Sequence, residues 1–137
     1  MGGARRGGAA SLLDVPVPEP GKNQVLLKVS RCGSCGSDLH AWLNHPGYES
    51  VLPEVTFGHE LSGSVVLTGP DTRDWKEGDR AVMIALQTSH DPNDRYCVDG
   101  LPQLSPRRRV QGLHLDGGMA AYLCVDSEFL MPVPDAL

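Results

Sequence analysis

The stretch from position 32 to position 60 of this 137-residue chain gathers most of the side chains able to do chemistry. It opens Cys32-Gly33-Ser34-Cys35-Gly36-Ser37-Asp38-Leu39-His40 and closes Phe57-Gly58-His59-Glu60. Thiolate sulfur and imidazole nitrogen are ligands that zinc favours, at about 2.3 Å and about 2.0–2.1 Å. Cys35 and His59 stand 24 positions apart (59 − 35), so the chain must fold back to join them, and Gly58 permits a tight approach. Asp38 is a residue type suited to accept the second N–H of a ligating histidine, fixing its tautomer and orientation. Glu60 adds an oxygen that either ligates or tempers the charge of a metal. The Cys32-x-x-Cys35 pair also has blander readings. A zinc ribbon needs a second pair, whereas Cys97 and Cys124 stand alone, and a redox pair belongs in a βαβ pattern that is absent. Spacing alone leaves metal ligation by Cys35 and His59 open beside simple burial in a core.

These residues need a scaffold, and the periodicity predicts a β-rich one. Positions 25–30 alternate Val25, Leu27 and Val29 with Leu26, Lys28 and Ser30, which is strand spacing. Ser37 or Asp38 caps a short helix over 39–43. Positions 44–53 form a loop bordering a pocket that Trp42, Leu43 and Tyr48 either line or back as core. Positions 61–68 read as a strand with a bulge or close approach at Gly63. Further strands are expected at 81–86, 119–125 and 129–133. The run Val15-Pro16-Val17-Pro18-Glu19-Pro20-Gly21 cannot be helical and forms an extended arm. Residues 1–11 are rich in Gly, Ala and Arg and are expected to be mobile. Positions 87–112 make a long loop, a kind that is commonly functional or disordered. Five or six short strands with little helix imply a barrel or sandwich.

Composition narrows the function classes. Sixteen glycines and 11 prolines favour a turn-rich β domain. The net charge of −5 argues against nucleic acid or an anionic membrane as partner. Arg107-Arg108-Arg109 is short and reads as a solvated loop. No apolar run reaches the ~20 residues a membrane span needs. The first residues lack a signal-peptide core, so a cytoplasmic protein is expected. His45, His90 and His114 fall in loop sequence with no assigned chemistry, and Cys32 and Cys124 read as small packed residues.

Several motifs then combine. Pro16-Val17-Pro18-Glu19-Pro20-Gly21, the Cys32–His40 run, Gly58-His59-Glu60 with Gly63 and Gly69, and Gly78-Asp79-Arg80 come in this order. Asp116-Gly117-Gly118-Met119-Ala120-Ala121-Tyr122 and Pro132-Val133-Pro134-Asp135 follow. Together they resemble the amino-terminal half of a zinc-containing medium-chain alcohol dehydrogenase, over about residues 12–137. Alcohol dehydrogenase is itself a known instance of a Cys₂His catalytic zinc site. The resemblance implies a mainly β, GroES-like catalytic domain over 12–137, with one or two short helices and a long loop. It implies zinc held by Cys35 and His59 with Glu60 beside it, and Asp38 behind His59. Ser37, otherwise only a helix cap, would bond the substrate hydroxyl. His40, otherwise a solvated surface residue, would pass the proton to solvent. The implied reaction oxidises a small alcohol or polyol to a ketone or aldehyde with NAD(P).

The chain also departs from that pattern. The resemblance places a third zinc ligand just after Val133-Pro134-Asp135, beyond Leu137. No Gly-x-Gly-x-x-Gly or βαβ unit is present to hold a dinucleotide, so no Rossmann domain is expected within 1–137. NAD(P) is expected only with such a domain, and the expected partners beyond the substrate are a separate Rossmann domain or further copies in a homo-oligomer. Many family members carry four close cysteines in the loop after Gly-Asp-Arg. Here that loop holds only Cys97, so no structural zinc is expected, leaving one catalytic ion. The alternatives are a non-catalytic GroES-like binding or scaffold module, and a nucleotide-independent zinc lyase or hydrolase.

Overall fold

The computed structural model describes residues 2–5, 10–88 and 91–136. Its strands are β1 (Gly2–Arg5), β2 (Ala10–Leu12), β3 (Gln24–Gly33), β4 (Glu54–Thr56) and β5 (Glu60–Thr68), with helix α1 (Gly36–Trp42) between β3 and β4. There follow β6 (Arg80–Met83), β7 (Leu86–Gln87), helix α2 (Arg95–Val98), β8 (Arg109–Val110), β9 (Tyr122–Asp126) and β10 (Leu130–Pro132). Five strands form one antiparallel sheet in the order β10-β6-β5-β3-β9. A three-stranded sheet, β2-β1-β4, and the hairpin β7-β8 complete the pairing. The mainly β expectation holds, with more strands than expected, and with β3 and β5 longer than the 25–30 and 61–68 spans the alternation marked.

Alternation explains the core. Side chains two apart share one face of a strand, so Val25 and Leu27, Leu61 and Val65, and Leu123 and Val125 converge with Phe129 and Leu130. Register sets them opposite one another: Val25 pairs with Val125, and Leu27 with Leu123 on one side and Val65 on the other. Val25, Leu27 and Val125 are fully buried. Burial of such a side chain contributes about 1.5–3 kcal/mol, so this cluster anchors the long β3–β5 ladder.

That ladder positions the chemistry. Its far end pairs Cys32 with Leu61 and Gly33 with Glu60, which carries Cys35 and His59 to one place although the chain separates them. Gly63 fits where a β-carbon would lie 2.6 Å from the Lys28 carbonyl oxygen, and the β3 register shifts between Val29 and Arg31 beside it. The close approach expected at Gly63 is therefore there, with a bulge on the partner strand.

Helix α1 begins earlier than the 39–43 span predicted. Cys35, not Ser37 or Asp38, is the extended residue preceding it. Asp38 accepts the Cys35 N–H through Oδ2 at 2.9 Å, satisfying an otherwise orphan donor. Ala41 buries the helix against Val51, Val55, Phe57 and Leu113 in a second apolar cluster.

Two loop readings need correction. The segment 1–11 was expected to be mobile, yet Gly2–Arg5 pairs with both β4 and β2. Main-chain pairing requires no apolar side chain, and the β4 edge supplies the partners. Residues 6–9 lie outside the described residues. The 87–112 stretch is also folded. Asp94 caps α2 through Tyr96 N–H and accepts Ser105 Oγ–H at 2.5 Å. Ser105 Oγ in turn accepts Arg107 N–H at 3.0 Å. Asp94 and Ser105 are buried, so polar side chains knit a lobe whose apolar content gives no periodic signal. His90 lies outside the described residues.

Gly58 has φ +97°, and a β-carbon there would lie 2.5 Å from Cys32 Sγ and 3.0 Å from the Met119 backbone nitrogen. Left-handed geometry costs a non-glycine residue about 1–2 kcal/mol, and overpacking adds about 1–3 kcal/mol. Gly58→Ala is expected to destabilise the fold by about 2–5 kcal/mol, measured as a lower urea midpoint at unchanged slope.

Candidate functional site

Among the described residues, Cys35, His59 and Glu60 form a set in which one ligand atom from each lies within 4.8 Å of the others. The thiol precedes α1, and the other two groups flank the start of β5. His59 is buried at 8% exposure, Cys35 is half-buried and Glu60 is exposed. The set therefore opens outward on one side.

Asp38 stands behind the imidazole, itself only 6% exposed. Its Oδ1 lies 3.4 Å from His59 Nδ1, and neither atom has a hydrogen-bond partner. A buried carboxylate and a buried ring nitrogen facing each other cost energy unless a proton is shared between them. With the proton on Nδ1, the His59 lone pair sits on Nε2, on the other side of the ring. Ser37 Oγ lies 3.2 Å from that Nε2, where its hydroxyl donates. Thiol, imidazole and carboxylate are a donor set zinc accepts. The carboxylate behind the histidine is the arrangement that raises ligand basicity. The residues present fit that ion.

The remaining predicted residues divide. His40 stacks on His45 with centroids 4.9 Å apart and meets Tyr48 edge-on at 5.8 Å. It is exposed on α1. Cys32 lies outside the ligand set. Burial first, then the negative charge of Asp38 and, least, that of Glu60 push its thiol pKa up, against the opposing effect of a hydrogen bond from the Glu60 backbone. Cys32 therefore stays protonated near neutrality, a poor ligand and nucleophile. Burial likewise raises Cys124.

Ser34, Cys35, Asp38, Leu39, Trp42, Phe57 and Ala10 line a cleft of about 260 Å³. Trp42 forms part of its wall, whereas Leu43 and Tyr48 do not. Larger hollows of about 620 and 570 Å³ lie along the amino-terminal arm and beside Trp75, and neither contains a residue of the ligand set. Of the three, only the smallest is lined by a residue of the ligand set, Cys35. The Asp94–Ser105 pair escaped the sequence reading; the acidic and hydroxylic residues on either side of α2 were its only trace.

Residues 21–135 match the model of the alcohol dehydrogenase GroES-like domain. The chain is 37% identical over 135 residues to (R,R)-butanediol dehydrogenase of Bacillus subtilis, covering 91% of this chain and 37% of that protein. It is 33% identical over 128 residues to L-threonine 3-dehydrogenase of Stenotrophomonas maltophilia, covering 92% and 37%. A Sinorhizobium meliloti protein assigned as a zinc-binding dehydrogenase, solved with NADP, superposes with a TM-score of 0.87 at 34% identity. That match covers 100% of this chain and 40% of the other. The chain thus spans well under half the length of these relatives. The fold is GroES-like, and no described helix is long and apolar enough to cross a membrane.

At neutral pH, iodoacetamide is expected to alkylate Cys32 several-fold more slowly than a cysteine in an unfolded peptide. Peptide mass spectrometry over time gives the rate, and equal rates would contradict the raised pKa.

Proposed function

The chain belongs to the alcohol dehydrogenase GroES-like domain family, and from that premise we propose that it is the zinc- and substrate-holding domain of an NAD(P)-dependent dehydrogenase for a small alcohol or polyol. The observation that carries this reading is the convergence of Cys35, His59 and Glu60, with Asp38 backing the histidine. The cleft of about 260 Å³ at Cys35 suits a small substrate, with Trp42 and Leu39 as apolar walls. The names of the relatives, acting on butanediol and threonine, favour hydroxyl-bearing substrates. The domain spans residues 12–137, and a Rossmann domain elsewhere would bring NAD(P) to the same cleft.

In this reading Cys35 and His59 hold one zinc, with Glu60 alongside. Zinc held there would supply Lewis acidity, lowering the pKa of an alcohol hydroxyl, and NAD(P) would be the hydride acceptor. The chain's own residues do the rest. Asp38 keeps the Nδ1 proton of His59 in place and turns Nε2 outward. Ser37 Oγ now donates to that same Nε2, so ligation by Nε2 frees the hydroxyl to meet a substrate oxygen. Ser37 then accepts the substrate proton while donating its own outward, and exposed His40, three residues along α1, receives it for release to solvent.

Two substitutions separate these roles. Cys35→Ser is expected to abolish retention of about one zinc per chain through dialysis, read by elemental analysis. Ser37→Ala is expected to retain the zinc, since it removes only a competitor for the Nε2 lone pair. In the cofactor-bearing enzyme it is expected to lower kcat by roughly 10²–10⁴-fold. Retained zinc in the first variant, or full turnover in the second, contradicts the assignment.

A further inference from the structure

His114 makes two hydrogen bonds that none of the roles above employs. Its Nδ1 accepts the Val110 N–H at 3.0 Å, and its Nε2 lies 3.0 Å from Ser50 Oγ. A backbone N–H can only donate, so Nδ1 carries no proton and the neutral ring holds its proton on Nε2. Nε2–H therefore donates to Ser50. This tautomer rules out a serine–histidine nucleophile pair, because the nitrogen facing the hydroxyl has no lone pair to take its proton. The ring instead ties two segments, the 44–53 loop and the turn that follows β8.

What the tie holds is the floor of α1. Leu52 N–H bonds the Leu113 carbonyl at 3.0 Å beside it. Val51 and Leu113 pack with Ala41 of α1, and Tyr48 packs against the same cluster. Tyr48 also meets His40 edge-on. The helix carrying Ser37, Asp38 and His40 thus rests on a loop that the imidazole helps to pin, beside the Leu52–Leu113 bond.

We propose that His114 is a proton-operated clamp: neutral, it pins the 44–53 loop under α1, and protonated at Nδ1 it releases that loop. Protonation sets an Nδ1–H against the Val110 N–H, so the charged ring must swing off the β8 side, and its Nε2–H, still a donor, leaves Ser50 through that rotation. Burial first, and then Arg108 and Arg109 on the β8 side, lower its pKa below the ordinary 6.5. On the other sides the carboxylates are engaged: Glu49 accepts Gly47 N–H at 2.9 Å, and Asp116 accepts Thr56 N–H at 2.9 Å. His45 and Tyr48 are the other titratable groups of the loop. Because the native pKa is depressed, the unfolded or released state binds more protons below 6.5. The clamp's contribution is therefore full above that value and falls as the pH drops beneath it. The clamp is independent of the dehydrogenase reading, since it involves no ligand of the zinc set.

The test is an NMR titration of the whole chain from about pH 7.5 to about pH 5, following histidine ring nitrogens and backbone amides. The expected result is an Nε2–H tautomer for His114 at the upper end and a midpoint below 6.5. The Ser50 and Val110 amides should shift with that midpoint, and hydrogen-exchange protection over 50–52 should fall roughly three- to tenfold, as loss of one hydrogen bond implies. In His114→Gln, whose side chain donates and accepts without titrating, the pH-dependent loss should vanish. An Nδ1–H tautomer, or protection over 50–52 unchanged through the His114 midpoint, overturns the proposal. The wild-type titration decides alone if the variant does not fold.

Discussion

The carboxylate of Asp38 joins two distant parts of the chain. One oxygen accepts the Cys35 N–H at 2.9 Å, and the other faces His59 Nδ1 at 3.4 Å. Burying a carboxylate is costly unless both oxygens find donors, so this residue is stable only where the start of α1 and the start of β5 meet. The same contacts aim the chemistry: Cys35 is held where the helix begins, and the outer nitrogen of His59 is turned towards Ser37. Without the ladder that pairs Gly33 with Glu60, neither donor would reach it.

The rest of the domain can be read as support for that meeting point. The apolar face built on Val25, Leu27, Val65 and Val125 fixes the ladder's register, and a slip by one residue would turn every side chain on a strand to the other face. The second cluster, around Ala41, Val55 and Phe57, seats α1 from below. Gly58 lets the chain pass against Cys32 and Met119 just before His59. Packing and polar chemistry thus share the same two strands.

Much of this was legible from residue types. The alternation at 25–30 and 61–68 marked β3 and β5, and Gly63 marked their close approach. The thiol, imidazole and carboxylates of the site were visible because few side chains can do such chemistry. Boundaries and polar architecture were less legible. Helix α1 starts at Gly36 because Asp38 reaches back to Cys35, a three-dimensional contact that propensity does not encode. Gly2–Arg5 is a strand because β4 offers an edge, which no local signal announces. The Asp94–Ser105 bond organises a lobe whose sequence looks like a plain loop. His114 was read as inert because its two partners lie on segments 64 residues apart, at Ser50, and four residues away, at Val110.

X-ray absorption spectroscopy at the zinc edge tests the central claim most directly, because it reports which atoms touch the metal. With zinc added to the chain, a sulfur at about 2.3 Å and imidazole nitrogen at about 2.0–2.1 Å are expected, with oxygen completing the shell. A shell of oxygen and nitrogen without sulfur would remove Cys35 from the site and contradict the account.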